Sequence, residues 1–396
     1  MRITQRAQRI EPFYVMEVAK AAQRMALELT GHEWPMLHLN IGEPDFTAAP
    51  LVQAAAQRAI ETGLTQYTPA TGLLSLRHAI SAWYQSHCGL HIEPERIIVT
   101  AGASGALQLA CLTLIESGDE ILMPDPSYPC NRHFVSAANG QATLLATQPQ
   151  DRFQLSPEQV AHHWGPATRG VLLASPSNPT GTAIGQSALS AIHEQVQHHG
   201  GITLVDEIYL GLSFDQARAS SALGLDERVI SINSFSKYFN MTGWRLGWMV
   251  APKSLVPSLE RLAQNLFICP STVAQHAALA CFEPESLALF EQRRLAFKAR
   301  RDYLVPALKA LGFEVPCAPD GAFYVWSDCR PLYDRFGVDN SWDFTFELMK
   351  RAHIALAPGR DFGHHETEHF VRWSIASALP ELERAVQRIQ HVLDRP

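Results

Sequence analysis

Seven cysteines among 396 residues make an odd number, and no two of them form a C-x-x-C pair. That usage argues against a disulfide framework or a thiol-based metal site and fits reduced thiols. Long apolar runs are missing as well, since none approaches the roughly 18 to 20 residues that span a bilayer. Positive charge is in deficit. The 32 Lys and Arg face 39 Asp and Glu, a formal net charge of -7, with a pI near 6.2. No basic footprint for nucleic acid results. The dinucleotide pattern G-x-G-x-x-G is absent, as are internal repeats and low-complexity linkers. The stretch from Met1 to Arg9 is basic, but no apolar signal core follows it, so a cytoplasmic address is expected.

What is present describes an ordinary globular protein, with 46% hydrophobic and 18% charged residues. A chain of this length can bury a large core and divide into two lobes. Val15, Val18, Ala22, Met25, Ala26 and Leu29 recur at helical spacing and predict a helix from Tyr14 to Leu29, ended by Gly31. Leu37 to Ile41 alternates like a strand and runs into Gly42-Glu-Pro-Asp-Phe46. Helices are expected over 49–62 and 73–88, with the loop Gln66-Tyr67-Thr-Pro-Ala-Thr-Gly72 between them. From Arg96 the pattern becomes strand, turn, helix. Ile97 to Val99 is a strand, Thr100-Ala-Gly-Ala-Ser-Gly105 a small-residue turn, and Ala106 to Ile115 a helix. Further apolar strands are expected at Glu120–Met123, Gly170–Ala174, Ile202–Val205, Val229–Ile232 and Leu246–Val250. Such strands separated by helices predict a mostly parallel α/β sheet covered on both faces. Beyond residue 285 the character changes to a long charged helix, 285–310, then helix 342–353, strands Ile354–Ala357 and Phe370–Ser374, and helix 380–393. The expected division is a large domain, 45–285, and a smaller α+β domain formed by 1–44 together with 286–396.

The chemistry collects at strand ends, where sheets of this kind place functional groups. Ser234-Phe-Ser-Lys237 follows the strand Val229–Ile232, and Thr-Gly-Trp-Arg245 comes soon after. A lysine just past a core strand can present an amine inside a cleft, where desolvation favours the neutral, nucleophilic form. The serine and the arginine supply a hydroxyl and a fixed cation, a pairing suited to phosphate. An amine beside a phosphate corner points to an aldehyde-bearing phosphorylated cofactor, pyridoxal phosphate. Asp206 directly follows an apolar strand, where an unpaired carboxylate is expensive. Asn178 is held between two prolines in Ser175-Pro-Ser-Asn178-Pro, and Tyr128 lies in a proline-flanked turn. The small residues around Ala103 and Ser104 suit either anion binding by a helix start or tight strand-to-helix packing. Gly42 suits either close approach of backbone to a ligand or a plain turn. His365-Glu-Thr-Glu-His369 matches the zinc-protease pattern H-E-x-x-H. Prolines and glycines upstream and a strand immediately after leave room for only one turn, so no metal site is expected.

In this order and spacing, Asn40-Ile-Gly-Glu-Pro-Asp, Ser-Asn178-Pro-Thr-Gly, Val-Asp206-Glu-Ile-Tyr209, Ser-Phe-Ser-Lys237, Thr-Gly-Trp-Arg245 and Arg372 resemble the class I aminotransferases of the aspartate-aminotransferase fold. The resemblance covers nearly the whole chain and implies a seven-stranded-type sheet with pyridoxal 5'-phosphate as cofactor. It implies that Lys237 carries the cofactor as a Schiff base and later shuttles the substrate proton. Asp206 would pair with the pyridine nitrogen. Tyr209 and Asn178 would address the phenolic oxygen, and Tyr128 would stack on the ring. Ala103, Ser104, Ser234 and Arg245 would hold the phosphate, joined by Tyr67 from a second subunit of a homodimer. Arg372, with Asn178 and the Gly42 backbone, would clamp the substrate carboxylate. Two departures stand out: the phosphate turn reads Ala-Ser-Gly, and the stacking residue is Tyr rather than Trp.

The function so implied is ping-pong transfer of an amino group from an L-amino acid to a 2-oxo acid. A lyase or synthase of the same fold, of the β-lyase or cyclopropane type, is the alternative. A non-catalytic sensor of this fold would need a DNA-binding module, for which some 40 residues with one helix leave little room. The apolar segment Leu266-Phe-Ile-Cys-Pro270 and the group Phe13, Tyr14, Val15 suggest a neutral or hydrophobic amino donor rather than aspartate.

Overall fold

The computed structural model describes residues 2–215 and 220–394. Its centre is a seven-stranded sheet in which Ile97–Thr100, Gly247–Val250, Ile230–Ser234, Ile202–Asp206, Thr168–Ala174, Glu120–Asp125 and Gln141–Ala146 lie side by side in that order. Gly247–Val250 runs antiparallel to both neighbours, and the remaining pairs are parallel. Central strands such as Val171–Leu173 and Ile230–Ser234 are buried along their whole length. This is why they read as continuous apolar runs rather than alternating ones. Because they are parallel, their C-terminal ends share one edge, and Thr100, Asp125, Ala174, Asp206 and Ser234 all open onto it.

A second, three-stranded antiparallel sheet, Ala357–Pro358, Phe370–Ser374 and Tyr324–Asp328, packs with helices Pro284–Ala310, Ser341–Ala352 and Leu379–Leu393. Asn340 caps Ser341–Ala352 by accepting from the Asp343 amide at 2.9 Å. The N-terminal segment joins this region. Leu37–His38 pairs parallel with Ile354–Ala355, and helix Tyr14–Glu28 lies against the same layer.

Several expectations shift. The turn expected over 100–105 is already helical: the helix runs Gly102–Leu114 and opens at Gly102 with φ +74°. Weak helix formers hid that start, and only packing against the sheet reveals it. The expected strand Ile354–Ala357 splits into two short pieces in different sheets. The expected strand Leu37–Ile41 pairs only at its beginning, because the carbonyls of Asn40 and Gly42 accept from side chains instead. Helix Pro129–Ala137 and strand Gln141–Ala146 carried too few periodic residues to be anticipated. His365 and His369 share no helix, since the chain bends there and Glu366 takes φ +53°. Among the described residues no helix is long and apolar enough to cross a membrane.

Candidate active site

Lys237 follows strand Ile230–Ser234 on a turn, and its Nζ donates to the Gly42 carbonyl at 2.7 Å. Burial lowers its pKa to about 8, Arg372 pushes the same way, and Glu43 opposes them. An amine so placed is partly neutral near physiological pH, as nucleophilic work requires. Rings of Phe323 and Tyr209 lie 5.5 and 5.9 Å from it.

Arg372, on the central strand of the small sheet, is 2% exposed. Its Nη1 donates to Asn178 Oδ1 at 2.9 Å and its Nη2 to the Asn40 carbonyl at 2.7 Å. The guanidinium sits between the rings of Tyr324 and Phe362, 4.3 and 4.9 Å from their centroids. Its Nε is buried without a partner among the described residues. A buried cation with a spare donor is a costly arrangement unless an anion completes it.

Asp206 ends its strand at 4% exposure. Burial raises its pKa to about 6, against the pull of the Ile208 amide, the Asn131 side chain and the Lys237 charge. The Tyr209 hydroxyl lies 2.9 Å from that of Tyr324. Tyr128, just before helix Pro129–Ala137, meets Phe13 edge-on at 6.4 Å.

Across the sheet edge a second cation, Arg245, stands on an exposed turn with φ +53°. Its Nη1 donates to the Thr242 carbonyl at 2.9 Å. Its guanidinium faces the helix start: a Cβ added at Gly102 would lie 2.7 Å from Nη2. Glycine is therefore required there twice, for the positive φ and for the cation. The first-turn amides of Gly102, Ala103 and Ser104 and this guanidinium form an anion-binding corner. Ser234 lies beside it but is engaged within the protein, donating to the Leu246 carbonyl at 3.3 Å and accepting from the Ser236 amide at 3.0 Å.

The structure thus brings Lys237, Asp206, Tyr209, Asn178, Arg372 and the Gly42 carbonyl into one cleft, with the Arg245 corner at its edge. Tyr67 is not part of that group on its own chain; it is 83% exposed on the loop before Gly72. Tyr324, Asn131 and Asn40 were not singled out from the sequence. Only Asn40 sat within a quoted motif, and Tyr324 carried no signal beyond its place in the aromatic run Phe323-Tyr-Val-Trp326. An amine of lowered pKa, a buried carboxylate, an anion corner and a buried guanidinium with a spare donor are the donor set that pyridoxal phosphate and an amino acid need.

Comparison with known proteins gives the family. The family model for aminotransferase class I and II matches residues 35–389. A valine–pyruvate aminotransferase of Mycobacterium tuberculosis is 36% identical over 381 residues, 96% of each chain. An aspartate aminotransferase of Geobacillus stearothermophilus is 32% identical over 398 residues, covering 100% of this chain and 99% of that one. Among solved structures, an aminotransferase from M. tuberculosis superposes with TM-score 0.92 at 36% identity over the whole of both chains. The aspartate aminotransferase of Thermus thermophilus does so with TM-score 0.90 at 31% identity, over 99% of this chain and 100% of that one. This chain belongs to the class I aminotransferases, enzymes of the aspartate-aminotransferase fold that depend on pyridoxal phosphate.

Proposed function

We propose that this aminotransferase takes its amino group from a neutral or hydrophobic L-amino acid and passes it to a 2-oxo acid by a ping-pong cycle, with Lys237 as the cofactor-bearing lysine. The observation that carries this reading is the anchoring of Lys237 and Arg372 on carbonyls two residues apart, those of Gly42 and Asn40. That spacing suits the amino and carboxylate ends of one α-amino acid.

Bound pyridoxal phosphate supplies an aldehyde that captures amines and a cationic ring that draws electrons from the substrate Cα. Asp206, buried and within reach of the Lys237 charge, would keep a proton on the ring nitrogen. Tyr209 and Asn178 would hydrogen-bond the phenolic oxygen, and Tyr128 would cover a ring face. Ala103, Ser104 and Arg245 would hold the phosphate, and Ser234 would join them by exchanging its bond to the Leu246 carbonyl. Arg372 grips the substrate carboxylate and thereby sets the Cα–H bond, an orientation bought in advance by its contacts to Asn178 and Asn40. Lys237, once the substrate amine has displaced it, would carry the proton from the substrate Cα to the cofactor's former aldehyde carbon.

Phe13 beside Tyr128, and Tyr324 and Phe362 flanking Arg372, support a neutral donor. Arg132, four residues past Tyr128, is already occupied by Glu11 at 3.1 Å and by the Asp361 carbonyl. Relatives are named for valine as well as aspartate and so do not choose between them. The division into a large domain, 45–285, and a small one, 1–44 with 286–396, is supported by the way this cleft draws residues from both. A second copy of the chain brings Tyr67 to the phosphate. Supporting that homodimer, Ile60, Leu64, Tyr67, Leu74, Leu266 and Ile268 are all large, apolar and exposed. The loop bearing Tyr67 is tied to the segment after Leu266 by a bond from Thr272 Oγ1 to the Gln66 carbonyl. Catalytic efficiency across aspartate, alanine, leucine, methionine and phenylalanine tests the donor class. The neutral donors are expected to lead, and a clear preference for aspartate refutes the assignment.

A further inference from the structure

Tyr324 enters the cleft from the small sheet at 1% exposure. Its hydroxyl lies 2.9 Å from that of Tyr209, and its ring supports the Arg372 guanidinium at 4.3 Å. A Cβ at Gly42 would collide with the same hydroxyl, so glycine at that position makes room for the tyrosine. One side chain therefore touches both the residue assigned to the cofactor's phenolic oxygen and the residue assigned to the substrate carboxylate.

We propose that Tyr324 is a positioning residue for amino transfer: its hydroxyl donates to Tyr209, aiming the Tyr209 proton into the cleft, and its ring holds Arg372 where the carboxylate arrives. The inference rests on the roles given above to Lys237, Tyr209 and Arg372. Each hydroxyl owns one proton, and either could donate across this pair. Were Tyr209 the donor, its proton would point at Tyr324 and none would remain for the phenolic oxygen. Burial raises both phenols and Arg372 opposes it in each, but the guanidinium rests on the Tyr324 ring itself at 4.3 Å, so the nearby cation favours Tyr324 as the donor of the pair. A chain of two such donors also strengthens its outer member by polarisation. The groups that titrate around the pair are Lys237, Asp206, Glu43 and Tyr128. Arg372 and Arg245 add fixed charge. Replacing Tyr324 by phenylalanine alters none of them, so a changed midpoint reports the hydroxyl.

The test is the absorbance of the cofactor-loaded protein against pH in wild type, Tyr324→Phe and Tyr324→Leu, alongside binding of 3-phenylpropionate as a non-reacting carboxylate. Tyr324→Phe is expected to raise the absorbance midpoint by about half a pH unit, because a less well-donated phenolic oxygen is more basic. It keeps the ring, so carboxylate affinity stays. Tyr324→Leu shows the same shift and binds the carboxylate about three- to tenfold more weakly. Thermal melts of both variants establish that they fold, and Phe alone decides the hydroxyl half if Leu does not. An unmoved midpoint in Tyr324→Phe overturns the donor role, and unchanged carboxylate binding in folded Tyr324→Leu overturns the ring role. Borohydride reduction and peptide mapping of wild type separate the two levels. Labelled Lys237 with an unmoved midpoint sinks this inference alone, whereas unlabelled Lys237 sinks the underlying assignment too.

Discussion

The cleft has two cationic ends, and they are built in opposite ways. Arg372 is 2% exposed, pinned to Asn178 and Asn40 and flanked by two rings. Arg245 stands on an exposed turn and, among the described residues, keeps one hydrogen bond, to the Thr242 carbonyl. A buried cation acts through a low dielectric, is little screened by salt, and must have its desolvation offset by fixed partners. An exposed cation contributes less by itself and needs help, here from the helix start at Gly102. The buried end thus suits orientation of a reacting group, and the open end suits capture of a phosphate.

Lys237, between the two ends, is the largest lever. Lys237→Ala should hold cofactor only non-covalently and lose turnover by orders of magnitude, as single-turnover kinetics and borohydride labelling will show. Near-normal turnover would mean that the nucleophile is misassigned.

The two arginines come next. Arg372→Gln should lower kcat/KM by about 10²- to 10³-fold with little dependence on salt, since it strands buried acceptors. Arg245→Gln should weaken cofactor binding by only about three- to tenfold, and in wild type the Arg245 contribution should fade as ionic strength rises. Measuring kcat/KM of Arg372→Gln and titrating cofactor into Arg245→Gln, each at low and high salt, checks the contrast. Equal salt dependence at the two ends would erase it.

The smallest effect concerns pH. Burial raises Asp206 and its neighbour Glu207 to about 6, so between roughly pH 4 and 6 the native cofactor-free protein binds more protons than the unfolded chain. Stability should therefore fall as pH rises through that window. Lys237 works the other way: lowered to about 8, it makes stability rise with pH between about 8 and 10.5. Asp206→Asn in the cofactor-free protein should flatten the acid-side slope, by about 1–3 kcal/mol across the window. Urea denaturation at a series of pH values measures this, and a slope identical to wild type would count against the burial argument.

Much of this site was legible because its residues travel with short segments at the ends of strands. Lys237, Asp206, Asn178 and Arg245 each follow or precede an apolar run that sheet formation buries, and so each lands on the same edge. Arg372 was legible only through the family resemblance; in the structure its strand neighbours Val371 and Trp373 are core. Tyr324 was not legible, because an apolar strand offers any aromatic as packing and its partners, Tyr209, Gly42 and Arg372, are all distant in the chain. The helix start at Gly102 was hidden by residues of weak helix propensity. The division of Ile354–Pro358 between two sheets depends on which strands come alongside.

By itself the amino-acid sequence determined the alternation of strands and helices and offered the candidate amine, carboxylate and Arg245 cation, with Arg372 added by the family resemblance. Hydrophobic period and residue chemistry are local properties and survive without a fold. Only the tertiary structure decided which of those groups became buried, how far their proton affinities moved, and that Tyr324 joins Tyr209 to Arg372. Desolvation and contact between remote segments exist only once the sheets have packed.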